Sequence, residues 1–245
     1  MAGLLGAGSM RQCLSMKPPA PVRDKSPARR RQIPRARAEA IFDALGAGNP
    51  EPQTELAFVN PYTLLVAVVL SAQATDVGVN RATKRLFETV QDPAAMLALG
   101  IDGLKTHIRT IGLYNAKAAN VMKLSALLIE RHAGKVPPDR ASLEALPGVG
   151  RKTANVVLNE AFGQPTLAVD THVFRVAHRV GFSIGKTPDA VEHDLVPQVP
   201  VRWARAAHHL LILHGRYVCK ARAPECWRCS IVAQCAFKAK NMTAR

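Results

Sequence analysis

Acidic residues are scarce in this chain. Among its 245 residues, 18 are Asp or Glu against 33 Lys or Arg, a formal net charge of +15. Such a deficit points to a polyanionic partner, held mainly through release of counterions from phosphates. The first 40 residues carry nine basic and two acidic side chains, so the rest of the chain is basic in its own right. Long hydrophobic runs are missing too. The longest, Leu64 to Leu70, falls well short of the roughly 20 residues needed to span a bilayer, which excludes a membrane helix there. At the N-terminus only a short apolar patch surrounds Leu4 and Leu5, which argues against a secretory signal. No stretch alternates with period two, so no strand is expected. HExxH is absent, no Ser/His/Asp set is arguable, and His172, His178, His208, His209 and His214 read as helix-face residues.

What is present is helical. With 48% of residues apolar, the chain has ample material for a core. Residues 1–34 are rich in proline and arginine without periodicity, and are expected to be a disordered basic tail. The setting expected is the cytoplasm of a bacterium, on its nucleoid; an Arg-rich organellar transit peptide is the alternative, and a later start at Met10 or Met16 a third. Helical spacing begins near Arg35, with Ala40, Ile41, Ala44 and Leu45 on one face. Asn60–Pro61 then opens a helix that is apolar nearly all round, as a central buried helix should be. That pattern breaks at its polar end, Ser71 to Asp76. The fold class is all-α.

The stretch LEALPGVGRKTANVVLNEAFG, Leu143 to Gly163, reads as a short helix, a glycine hairpin and a second helix. Pro147 stops the first helix. Gly148 and Gly150 bracket Val149 and let the backbone turn sharply near a partner. Arg151 and Lys152 follow at the exposed positive end of the second helix. Bare amides and a helix N-terminus suit a phosphate oxygen. A P-loop would need glycine where Arg151 stands, and a dinucleotide fold would need one at Thr153. A helix–hairpin–helix gripping a nucleic-acid backbone remains, beside the plainer reading of a helix–turn–helix corner with a surface lysine.

Four of the five cysteines, Cys219, Cys226, Cys229 and Cys235, lie together with gaps of six, two and five residues, and Cys13 stands alone. Disulfides would need an oxidising compartment that nothing else suggests. Zinc ribbons usually show two CxxC knuckles and only one is present. The wider gaps favour an iron–sulfur cubane over zinc. Lys220, Arg222 and Arg228 between the ligands would make a second phosphate clamp.

Two residues could carry chemistry. Lys152 stands where the helix dipole repels a cation, which favours the neutral amine that attacks carbon; the alternative is a solvated lysine on phosphate. Asp170, in LAVDTHVFRV, is placed to cap the following helix. A carboxylate so held is also fit to stabilise developing positive charge or help deprotonate an amine.

LPGVGRKTANVV, then VDTHVFRV, then the C-x6-C-x2-C-x5-C tail resemble the endonuclease III family of bacterial base-excision repair enzymes, with LSAQATD, IGLYNAKA and LILHGRYVC as further similar segments. The likeness runs from Arg35 to Phe237. It implies two helical domains with a DNA groove between them: a six-helix barrel over 54–164 holding the helix–hairpin–helix (about 140–163), and a domain of 35–53 plus 165–245 closed by one 4Fe-4S cluster on the four cysteines. It also implies a monomer acting on double-stranded DNA with oxidised pyrimidines or abasic sites. Lys152 would attack C1′ of the sugar, displace the base as a Schiff base forms, and break the strand by β-elimination, with Asp170 assisting. Gln73 and Leu113 would fill the space left by the flipped nucleotide. Gly148, Val149, Gly150, Arg151 and Arg222 would contact DNA, though Ala223 stands where many relatives carry a lysine.

The rival within this class is a monofunctional adenine glycosylase. Those enzymes lack a lysine at the position of Lys152 and carry an extra C-terminal domain, whereas this chain ends ten residues after Cys235. The rival outside it is a non-catalytic iron–sulfur DNA-binding protein.

Overall fold

The computed structural model describes residues 32–244, so the tail expected over 1–34 lies outside the described residues but for its last three, and Cys13 lies outside with it. Among the described residues there is no strand. The helices run in the order α1 (Arg35–Gly48), α2 (Pro61–Ser71), α3 (Asp76–Thr83), α4 (Leu86–Thr89), α5 (Pro93–Ile108), α6 (Tyr114–His132), α7 (Arg140–Glu144), α8 (Arg151–Phe162), α9 (Thr171–Val180), α10 (Pro188–Leu195) and α11 (Ala207–Tyr217). None of them is long and apolar enough to cross a membrane.

Local chemistry sets where the helices begin. Side chains of Asn60, Thr75, Asp92, Asp139, Asp170 and Thr187 each accept a backbone N–H in the first turn of the helix that follows. Such caps satisfy amides that have no partner within the helix. Proline follows the cap in α2, α5 and α10, where its missing N–H costs nothing. Within α5, Gly100 departs from helical geometry at φ 73°, so two shorter helices meet there at a kink.

Every residue of α2 from Tyr62 to Leu70 is buried. This central helix packs against α3, α6 and α8. It anchors a first core, which also takes Met96 and Leu104 of α5, Leu124 and Leu128 of α6, and Val157 of α8. A second core gathers α1 with α9, α10 and α11 around Phe42 and Phe182, whose ring centroids lie 5.7 Å apart. Between them runs an extended stretch, 164–170, whose side chains alternate as those of any extended chain do. Leu167 and Val169 enter the second core and Ala168 enters the first. Ion pairs tie the two cores together. Arg216 of α11 binds Asp76 of α3 at 2.7 Å and Glu55 as well, and Tyr217 donates to the same Glu55.

Phe42 is fully buried. Phe42→Ala should therefore cost about 3–5 kcal/mol of unfolding free energy, read as a lowered urea midpoint with an unchanged slope. A loss below about 1 kcal/mol would show that the second core does not depend on that ring.

Candidate active site

The hairpin joins α7 to α8. Asp139 starts α7 by accepting the Ser142 amide at 2.8 Å. The chain then tightens through Leu146 N–H to Leu143 C=O at 3.0 Å and Val149 N–H to Leu146 C=O at 3.1 Å. Gly148 is required twice over: its φ is +80°, and a Cβ there would meet the Asn120 side chain of α6 at 3.0 Å. Gly148 and Gly150 are exposed, whereas the Val149 side chain is buried in the first core. Of Val149, then, only the backbone is left to face a ligand. Gly150 caps α8 without a side chain, and the first turn holds no acid, so the positive end of α8 is open.

Lys152 is exposed on that first turn. Its neighbour Arg151 is not free. The Arg151 guanidinium donates to both carboxylate oxygens of Glu192 on α10, at 2.8 and 3.0 Å. Glu192 is buried, and Arg140 lies 3.9 Å from it. The expected phosphate contact of Arg151 is thus shared with an internal ion pair that ties α8 to α10.

Asp170 caps α9 as its sequence suggests. Its Oδ1 accepts the amides of His172 and Val173 at 2.9 and 2.7 Å. The stretch that leads to it is held by contacts that pattern reading missed. Asn159, two turns into α8, sends its amide nitrogen to the carbonyls of Gln164, Thr166 and Arg205 at 3.2, 2.9 and 3.1 Å. One turn nearer the hairpin, Asn155 donates to the Leu167 carbonyl at 3.1 Å and accepts the Thr166 hydroxyl on its own carbonyl at 2.6 Å. The chain from 164 to 167 is thereby laid back along α8 towards the hairpin. From α11, His208 adds a hydrogen bond to the Ala168 carbonyl.

That histidine, with His209 and His214, lies on the buried side of α11. His209 Nε2 lies 2.6 Å from Glu160, and His214 Nε2 lies 3.7 Å from Cys229 Sγ. Polar pairing had to be seen in three dimensions to be found. Burial pushes His208 down to about 3, helped by the charges of His209 and Lys152, so the imidazole is neutral.

Gln73 and Leu113 share an unusual backbone. Among the described residues only three non-glycines have positive φ, and these are two of them, at 55° and 60°. Left-handed geometry is costly for both, and such strain gathers at functional sites. Both side chains are exposed, Leu113 to 63%.

The four clustered cysteines are half-buried, unpaired and line one small apolar cavity with Val180, His214 and Ile231. Burial raises the thiols of Cys229 and Cys235, and the neighbouring cysteines add to the effect. Arg179 closes the cavity, donating to Cys219 Sγ at 3.4 Å, to the carbonyls of Lys220 and Ala221 at 2.7 and 2.8 Å, and stacking over Phe237 at 4.6 Å. Four thiols on one chamber, next to a guanidinium, form a donor set suited to a thiolate-bound anionic group. Among the described residues no three His, Cys, Asp or Glu side chains are set to hold a single metal ion. In the loop itself, Lys220 and Arg228 both pair with Glu225, which leaves Arg222 exposed as the freest of the three expected phosphate contacts.

Residues 66–200 match the family described as HhH-GPD superfamily base excision DNA repair protein. Endonuclease III of Escherichia coli K12 is 56% identical over 206 residues, covering 84% of this chain and 98% of that protein. Endonuclease III of Treponema pallidum is 56% identical over 196 residues, covering 80% and 93%. A trapped endonuclease III–DNA covalent intermediate superposes with a TM-score of 0.78 at 45% identity, over 83% of this chain and 96% of that one. A thermostable thymine-DNA glycosylase, at 24% identity and a TM-score of 0.72, shares the fold.

A neutral buried His208 has a stability signature. Unfolded histidine takes up a proton near pH 6.5 and the folded one refuses it until about 3, so stability is full above 6.5 and drains as pH falls. The slope from this group approaches about 1.4 kcal/mol per pH unit. Urea titrations between pH 7 and 4.5 should show His208→Gln losing that part of the slope; an unchanged slope would clear the imidazole.

Proposed function

We infer from a chain that belongs to the HhH-GPD superfamily of base excision DNA repair proteins, and within it to the endonuclease III family, that it is a bifunctional DNA N-glycosylase and AP lyase. Its substrate is double-stranded DNA bearing oxidised pyrimidines or abasic sites, in the bacterial nucleoid. The observation that supports the reading is the return of the chain from residue 164 along α8, held by Asn155 and Asn159, which we take to bring Asp170 towards the end holding Lys152.

We read the two cores as lobes, 54–164 and 35–53 with 165–245, that take the duplex between them. The open amides around Gly148 and Gly150 hold a phosphate of the damaged strand without reading bases. Gln73 and Leu113, exposed and already strained, enter the stack where the nucleotide leaves it, and a damaged base is cheaper to unstack. Lys152 Nζ then attacks C1′; the C1′–N bond breaks and its electron pair leaves with the base. Opening of the sugar ring gives the imine. Loss of a C2′ proton expels the 3′ phosphate, cutting the strand. Asp170, with Oδ1 engaged by α9, keeps Oδ2 to steady positive charge at the sugar and to receive a proton from the amine.

Cys219, Cys226, Cys229 and Cys235 are the ligands we assign to one 4Fe-4S cluster. When bound, it supplies four iron–thiolate bonds that fix the loop from 219 to 235. The shared apolar chamber, the adjoining Arg179 and the wide cysteine spacing support this assignment over zinc. Arg222 would then be presented to the backbone of the duplex.

Borohydride trapping tests the chemistry. Intact protein should form a covalent adduct with abasic and thymine-glycol duplexes, Lys152→Ala should form none, and Asp170→Asn should slow single turnover by about 10²–10⁴-fold. An adduct with Lys152→Ala would place the nucleophile elsewhere. Elemental analysis tests the cofactor: about four iron atoms per chain are expected, and colourless protein carrying zinc would overturn the assignment.

A further inference from the structure

Among the described residues Lys117 is the only buried lysine or arginine, at 5% exposure. Its Nζ is enclosed and has no hydrogen-bond partner. Long cationic side chains ordinarily bury the stem and keep the head in water; here the head is covered. A buried ammonium without a partner is costly, and one that is kept calls for an anion. Burial alone holds its pKa below the ordinary lysine range, with no carboxylate near enough to offset it.

Its surroundings say which anion. Lys117 sits one turn into α6, on the stripe that continues through Val121, Leu124 and Leu128 into the first core. Helical side chains tilt towards the N-terminus, which leans Lys117 towards the first turn. That turn is bare: Leu113, in the left-handed conformation, caps α6 without a side-chain hydrogen bond, and the turn contains no acid. The amides of Tyr114, Asn115 and Ala116 have no acceptor within the helix. Gly112, Leu113, Asn115 and Ala116 are exposed in the segment that opens the helix.

We propose that the first turn of α6 and Lys117 form a second phosphate site, engaged as Leu113 enters the duplex. The ligand is a phosphodiester oxygen of the DNA strand beside the lesion. This rests on the DNA-repair reading above and deepens it. The amide groups supply direction, and the ammonium supplies the charge that the hairpin, with Arg151 tied to Glu192, lacks at its own end.

The test replaces Lys117 by methionine, of similar length and no charge, in the full cluster-loaded protein. Three quantities are read: the urea midpoint of the free protein, the salt dependence of Kd for a duplex with a tetrahydrofuran abasic-site analogue, and trapping on an abasic duplex at saturation. The free Lys117→Met protein should be at least as stable as the wild type. Its Kd should weaken by about tenfold, with the log Kd against log salt slope reduced by about one. Trapping at saturation should persist. A destabilised variant with unchanged Kd and slope would show that the ammonium serves the fold, and weaker binding with an unchanged slope would show that no phosphate is lost; either overturns the proposal. If Lys117→Met does not fold, Lys117→Gln carries the same test, and failure of both to fold also refutes it. Absence of wild-type trapping would instead sink the enzymatic reading, independently of the slope.

Discussion

Asn159 turns one side-chain amide towards three backbone carbonyls, and much of the molecule follows from that knot. It is 2% exposed, so each of those bonds is made away from water, where a lost partner leaves a buried polar group unmatched. The knot reverses the chain after α8 and joins it to the turn before α11. Asn155 repeats the grip one helical turn earlier. Together they make the return of the chain along α8 a property of the scaffold rather than of a mobile loop.

The rest of the site shows where stability yields to use. Gln73 and Leu113 occupy backbone geometry that favours glycine, and Leu113 exposes apolar surface to water. Lys117 encloses a charge it cannot pair. Each of these is a cost in the free protein. The capped helices and two dry cores supply the margin that lets them persist.

Much of this was legible in the chain itself. Asn60–Pro61, Asp92–Pro93 and Thr187–Pro188 announce helix starts because capping and proline geometry are local. The hairpin could be read because Gly148 is needed for its φ, and Asp170 because a cap is a contact within three residues. The four cysteines stood out by spacing. Other features were not legible, for a common reason. The pairing of Arg151 with Glu192 spans 41 residues, and the bonds of Asn159 reach Arg205 across 46. The burial of the histidines was not legible either, because nothing in a helical period separates His208 on a packed face from the half-buried His178. Lys117 was passed over for the same reason, being a cation at a position whose neighbours on the stripe are apolar.

The composition also overstates how much positive charge reaches outward. Arg151 is matched by Glu192, Arg202 by Asp43, Arg216 by Asp76 and Glu55, and Lys220 and Arg228 by Glu225. Fewer cations are therefore left to meet a polyanion than the sequence count suggests. Weak, spaced grips let a protein travel along intact double helix, inspecting as it goes, and commit only where the strand gives way.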